Sequence, residues 1–241
     1  MTIMNYEVFT DNLKKIDLDT KKIINTINPH SYITAKSDKI FETALQDSDF
    51  LIPDGSGIVL AAKQIYGASI KKIAGSDLHI FLLKEINEKN AKVFYMGASQ
   101  NTLDRIEARI KKEYPNIQVK SYSPPFKPTF TKEENEHIVS EVNAFEPDVL
   151  FVGMTAPKQE KWLHEHKEAL NFKVASCIGA VFDFYAGTVE RPSQIWLDLH
   201  LEWLGRLLKE PKRMWKRNFV STPLFLADLL LYKMNRVREK E

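Results

Sequence analysis

The chain has one cysteine, Cys177, and no second one to pair with it. An internal disulfide is excluded, and a reducing compartment is expected. No run of about 18 apolar residues occurs, so no membrane-spanning helix is expected. The opening MTIMNYEVFTDNLKK carries polar and acidic residues where a signal peptide has its apolar core, so nothing in it points to export. Glycines number only nine. None falls in a GxGxxG, GxxxxGK[ST] or GxSxG pattern, and there is no HExxH, which excludes the common dinucleotide, P-loop, hydrolase-elbow and zinc-protease signatures. GSGIV at 55–59 is too short to read as a phosphate loop. Six histidines are scattered without metal-ligand partners, HEH at 164–166 being the closest pair, and they read as surface residues.

What is present is a soluble, globular composition. The 241 residues are 44% hydrophobic and 27% charged, enough for one large domain or one domain with an appendage. The net charge of +2 conceals an asymmetry. From Glu202 onward ten Lys and Arg face five Asp and Glu, which puts that segment at +5 and the remainder at −3. A basic tail on a slightly acidic body suggests an anionic partner for the tail. The expected division is an α/β core over 1–195 and a basic, amphipathic appendage over 196–241.

Short runs rich in Val, Ile and Phe read as buried strands: SYITA (31–35), DFLI (49–52), KVFYMG (92–97), IQVKSY (117–122), DVLFVGM (148–154) and VASCIG (174–179). Helical patterns lie between them, over 38–46, 76–89, 99–114, 131–145 and 157–170. Thr131 with Glu134 forms a capping box, and Pro157 stands in a first turn. Strands alternating with helices imply βαβ units and a largely parallel sheet. Ligands of such sheets bind at the carboxyl ends of strands, near helix N-termini. The small and polar residues expected there are Thr34, Asp54, Gly55, Gly97, Gly153, Pro157 and Gly179.

Three stretches carry candidate chemistry. In PDGSG, Pro53 restricts the turn and Gly55 permits unusual backbone angles, so Asp54 is either a turn residue or a rigidly held general base. In GMTAPKQEKW (153–162), a helix opens with Lys158, Gln159 and Glu160. A cation and an amide beside free helical N–H groups suit an anionic ligand, although a lysine in the first turn opposes the helix dipole. In CIGAVFDFYAGTVERPS (177–193), Asp183 sits in an apolar run, which is costly without a partner; a ribose or base hydrogen bond would supply one. The tail sets Leu201, Leu204, Leu207 and Leu208 on one face beside Trp203, Trp215, Arg206, Arg213 and Arg217. It reads equally as an interfacial membrane helix pair and as helices packed on the body or on a second chain.

These stretches together resemble the WecG/TagA/CpsF family of bacterial glycosyltransferases. ITAKSDKI, LIPDGSGIVLAAK, IAGSDL, VFYMGAS, DVLFVGMTAPKQEKW, IGAVFDFYAGTVERP and LEWLGRLLKEPKRMWKR occur in the family's order, over about residues 30 to 217. The resemblance implies a Rossmann-like sheet with a C-terminal membrane-docking appendage. It implies inverting, metal-independent transfer of a sugar, such as N-acetylmannosamine, its uronate or glucuronate, from a UDP-sugar to a polyprenyl-diphosphate-linked saccharide at the cytoplasmic face of the membrane. By the same resemblance Asp54 is the base, Thr34 and Gln159 lie near the donor sugar or diphosphate, and Arg206, Arg213 and Arg217 grip diphosphate. Gly75 and Asp77 of IAGSDL, with Gly55, Gly97, Gly153, Pro157, Lys158, Glu160, Gly179 and Asp183, fall in the other matched motifs and are taken as substrate-binding. No cofactor and no metal are implied.

The chain departs from the family's usual pattern at several points. Lys36 stands where asparagine is common, Lys72 where arginine is, and Ala180 replaces a glycine. Lysine keeps the charge of arginine but loses the bidentate fork. These changes bear on donor identity more than on reaction type. A non-catalytic nucleotide-binding subunit is the alternative reading, and a homo-oligomer stays open. A nucleic-acid partner is not expected, because the tail is too rich in Leu and Phe.

Overall fold

The first strand of the sheet is not SYITA. Asn28 and Pro29 make that segment a helix, because the Asn28 side chain accepts the N–H groups of His30 and Ser31 while Ser31 reaches back to the Asn28 N–H. Proline at the first helical position adds a pre-set φ. The result is α1 (Pro29–Ala35), and the strand is KIINTI just before it, β3 (Lys22–Ile27). A run of β-branched residues was outweighed by a complete N-terminal cap.

The computed structural model describes residues 1–189 and 211–238. A small antiparallel pair, β1 (Thr2–Ile3) and β2 (Tyr6–Glu7), precedes β3 and α1. Then come α2 (Lys39–Gln46), β4 (Phe50–Pro53), α3 (Ser56–Tyr66), α4 (Gly75–Glu88), β5 (Lys92–Gly97) and α5 (Gln100–Glu113). They are followed by β6 (Gln118–Tyr122), α6 (Lys132–Phe145), β7 (Val149–Gly153), α7 (Lys158–His166), β8 (Val174–Cys177) and α8 (Gly179–Ala186). After the gap in description lie α9 (Pro211–Lys216), a π-helical turn (Arg217–Ser221) and α10 (Thr222–Arg238). Helix α3 is the second departure from expectation. Its buried Ile58, Ala61 and Ala62 have helical spacing, and Gly67 in the left-handed region (φ +66°) ends it.

Six strands form one parallel sheet in the order β4-β3-β8-β7-β5-β6. This is the expected Rossmann-like α/β architecture. One face carries Ile24, Ile52, Tyr95 and Phe151 under α4, α5 and α8. The other carries Phe94, Met96, Leu150 and Val152 under α6 and α7. Because every strand runs the same way, the six carboxyl ends meet along one edge.

A third apolar cluster joins the N-terminal hairpin, α1, α2 and α3 to the C-terminal helix through buried Phe225 and Leu229. Phe225 meets Tyr32 of α1 edge-on, with ring centroids 5.4 Å apart. The rest of this C-terminal surface is apolar but open: Trp215 is 60% exposed, Leu230 63% and Met234 54%. Among the described residues no helix is long and apolar enough to cross a membrane. The division at 195/196, Arg206, and the Leu201/Leu204/Leu207/Leu208 face with Trp203 lie outside the described residues, as does the side chain of Arg213.

Candidate active site at the carboxyl edge of the sheet

Asp54 follows the last residue of β4. Its N–H donates to the Ile27 carbonyl of β3 (2.9 Å), and the neighbouring Pro53 carbonyl accepts from the Ile73 N–H (3.0 Å). The half-buried carboxylate is therefore mounted on backbone tied to both sides. Gly55 at φ +108° turns the chain into α3, a geometry that strains any residue with a Cβ. Gly57 is required for contact: a Cβ there would lie 2.3 Å from Pro29 of α1 and 3.4 Å from Phe225 of α10. The first turn of α3, α1 and the C-terminal helix thus touch.

Helix α1 supplies the next wall. Thr34 is on this helix rather than at a strand end, and its hydroxyl donates to the His30 carbonyl (2.8 Å), leaving lone pairs for a donor. Lys36 pairs with Asp228 of α10 and ties the appendage to α1. His30 Nδ1 hydrogen-bonds Ser221 Oγ at 2.8 Å. Burial holds the His30 pKa below its usual range, and the cations of Arg217 and Lys216 push it the same way. Arg217, in the π-helical turn, is thereby placed beside α1. Sequence reading missed Asn28 and His30; the Asn-Pro pair was their available signal.

The start of α7 lies at the carboxyl end of β7, two strands beyond β3 in the sheet. Gln159 is almost fully buried, and its Oε1 accepts the N–H groups of Met154 (3.2 Å) and Gly179 (3.1 Å). One amide oxygen so joins the β7–α7 loop to the start of α8. Its Nε2 donates to Glu160 Oε1 at 2.8 Å. Glu160 is buried, its Oε2 has no hydrogen-bond partner, and burial pushes its pKa up to about 7. Pro157 follows a cis peptide bond. Lys158 reaches away to the Lys127 carbonyl (2.6 Å) and over the Phe130 ring, where burial lowers its pKa.

The strand-end glycines have close-packing reasons. A Cβ at Gly97 would lie 2.4 Å from the Gly153 carbonyl oxygen, and one at Gly153 would lie 2.3 Å from the Phe182 ring. At Gly179 it would meet the Met154 carbonyl oxygen at 2.2 Å, and at Gly75 it would contact Ile178 at 3.4 Å. Asp77 accepts the Ala74 N–H (2.9 Å) and caps α4, and Lys72 lies exposed just before it. Asp183 has an internal partner: its Oδ1 accepts from the Thr188 hydroxyl at 3.2 Å. Scattered histidines of this kind are more often surface residues, but His79 is buried against the Tyr95 hydroxyl at 2.7 Å.

Among the described residues no three His, Cys, Asp or Glu side chains are grouped as metal ligands. The Asp-x-Asp pairs 17–19 and 47–49 sit at the amino edge, where Asp19 pairs with Lys89 and Asp49 with Lys22.

The fold and this edge define a parallel α/β protein with a carboxylate poised at a strand end, beside helix N-termini able to receive an anion. The profile of the Glycosyl transferase WecG/TagA/CpsF family matches residues 2–239. The N-acetylglucosaminyldiphosphoundecaprenol N-acetyl-beta-D-mannosaminyltransferase of Bacillus spizizenii is 32% identical over 227 residues, covering 93% of this chain and 86% of the relative. Its namesake in Bacillus subtilis is 30% identical, covering 96% and 89%. That of Staphylococcus aureus strain MW2 is 27% identical, covering 90% and 81%. The chain belongs to the WecG/TagA/CpsF family, and it is a glycosyltransferase.

Proposed function

We propose that the protein moves an N-acetylmannosaminyl group from a UDP-sugar to an N-acetylglucosamine carried on a polyprenyl diphosphate. Transfer proceeds with inversion and without a metal, at the cytoplasmic face of the membrane. The names of the relatives supply the sugar and the acceptor. The observation that carries the mechanism is Asp54 at the end of β4, on backbone tied to β3 and to the segment before α4 and followed at once by the start of α3.

In this reading Asp54 takes the proton from the acceptor hydroxyl as that oxygen attacks the anomeric carbon from the side opposite the leaving diphosphate. Charge then grows on the UDP leaving group. Backbone N–H groups at the starts of α7 and α8, the Gln159 amide and the cations of the appendage, Arg217 among them, stabilise it. Thr34 presents hydroxyl lone pairs to the donor sugar. The exposed Trp215, Phe219, Leu230, Leu231 and Met234 enter the interface of an anionic bilayer, where Lys and Arg on the same segment meet lipid headgroups.

Asp54→Asn tests the assignment. Transfer from UDP-N-acetylmannosamine to a lipid-linked N-acetylglucosamine should fall by about 10² to 10⁴-fold, while UDP binding measured by calorimetry stays within a few-fold of wild type. Near-wild-type transfer by the variant would refute the base.

A further inference from the structure

Gln159 works only in one orientation. Two N–H donors, from Met154 and Gly179, converge on its Oε1. Were the amide turned over, its NH2 group would face those two donors and both would lose their acceptor. The side chain is 5% exposed, so water cannot compensate. What favours the correct orientation is an acceptor on the other side, and Glu160 Oε1 at 2.8 Å is that acceptor. Glu160 is itself only 5% exposed and is placed to hold Gln159 rather than to meet a ligand.

The surroundings of Glu160 fit a neutral carboxylic acid. No cation is hydrogen-bonded or ion-paired to it among the described residues, and it lies near Cys177, whose thiol burial and Glu160 together push up. On the same sheet face, one step beyond the registered pair Ile24–Ser176, Asn25 leaves its Oδ1 without a donor.

We propose that Glu160 is a positioning residue for sugar transfer. Its buried carboxyl fixes the Gln159 amide, and through it the register between the β7–α7 loop and the start of α8 that receives the diphosphate. This rests on the reading that the carboxyl edge binds a UDP-sugar.

The test compares wild type, Glu160→Gln and Glu160→Leu in the full chain, with two readouts. Glu160→Gln keeps a carbonyl acceptor for Gln159, whereas Glu160→Leu fills the space and removes it. Hydrogen exchange at Met154 and Gly179 should be at least about tenfold faster in Glu160→Leu, with strands β5 and β7 protected as in wild type; Glu160→Gln should match wild type. With UDP-N-acetylmannosamine and a lipid-linked N-acetylglucosamine, kcat/KM should fall at least about tenfold in Glu160→Leu, mostly in kcat, and return to within about twofold in Glu160→Gln. Unchanged exchange at both amides in Glu160→Leu overturns the proposal, as does a Glu160→Gln variant as damaged as Glu160→Leu. If wild type neither binds UDP nor transfers sugar, the UDP-sugar reading fails by itself, and the exchange experiment still decides whether Glu160 holds Gln159.

Discussion

The buried carboxyl of Glu160 should make folding stability fall as pH rises through the slightly acidic range, and Glu160→Gln should remove that dependence. The folded pKa stands at about 7 against an ordinary value of 4.5, with burial as the leading cause. Below about pH 4.5 the group is protonated in both folded and unfolded chains and contributes no slope. Between about 4.5 and 7 the unfolded chain releases the proton while the folded chain keeps it, so each step upward in pH favours unfolding. Above about 7 both states are ionised and the loss is complete. A difference of about 2.5 pKa units corresponds to about 3 kcal/mol, an upper figure because the buried site can relax or admit water.

Glutamine preserves the shape and cannot ionise, so the stability difference between wild type and variant isolates this one group. Asp38 and Asp148, whose pKa values are lowered by Lys161 and Lys173 partners against the opposing effect of burial, titrate in both proteins and cancel. Urea unfolding followed by tryptophan fluorescence at pH 5, 6, 7 and 8 measures the difference directly. Relative to the variant, wild type should lose about 2 to 3 kcal/mol between pH 5 and 8, a midpoint shift of roughly 1 M urea. A difference constant to within about 0.5 kcal/mol across that range would refute the buried neutral acid.

Other consequences follow from contacts already described. Gly179→Ala forces its Cβ against the Met154 carbonyl oxygen and Gln159 Oε1 (2.2 and 2.7 Å), so stability should drop by about 1–3 kcal/mol in urea titrations, with activity falling further than stability alone explains. Phe225→Ala empties a fully buried position and should cost about 3–5 kcal/mol locally; trypsin should then cut α10 at Lys233 or Arg236 faster while the sheet stays resistant. Replacing the exposed Trp215 and Phe219 together by serine should change stability by less than about 1 kcal/mol yet weaken co-sedimentation with phosphatidylglycerol vesicles severalfold, and unchanged sedimentation would remove these side chains from the membrane contact.

Elements with one dominant local signal were legible in the sequence. Strands β4, β5, β7 and β8 are buried apolar runs whose neighbours on both faces are helices, β6 is a half-buried edge strand, and the helix starts with Ser, Thr or Asp caps lay within a residue or two of their expected places. SYITA failed because β-branched composition and an Asn-Pro cap gave opposite answers, and the cap determined the backbone. GSGIVLAAK was not read as a helix although Ile58, Ala61 and Ala62 have helical spacing, because the hairpin and α10 that cover this face lie far away in the sequence. At the site, residue type was legible and direction was not. Asp54 and Gln159 could be named from their motifs. That Lys158 turns to Phe130, Lys36 to Asp228 and Asp183 to Thr188 depends on partners between 5 and 192 residues away.

The Asp54 loop cannot be considered apart from the C-terminal helix. Gly57, in the first turn of α3 just after Asp54, has no room for a Cβ because Pro29 occupies that space, and the Phe225 ring lies against the same spot, so the helix start that follows the carboxylate is packed by the helix that exposes Leu230, Leu231 and Met234. Three further links bind this helix region to α1: Lys36 with Asp228, His30 with Ser221, and the Tyr32–Phe225 ring contact. A surface ion pair contributes little by itself, and a neutral hydrogen bond about 1 kcal/mol. The buried Phe225 and Leu229 therefore supply most of the attachment, about 1.5–3 kcal/mol each by transfer. An attachment of that size holds the helix down but leaves it among the weaker parts of the fold. Phe225 thus couples α10 to α1 and to the first turn of α3, the two helices that flank the Asp54 loop.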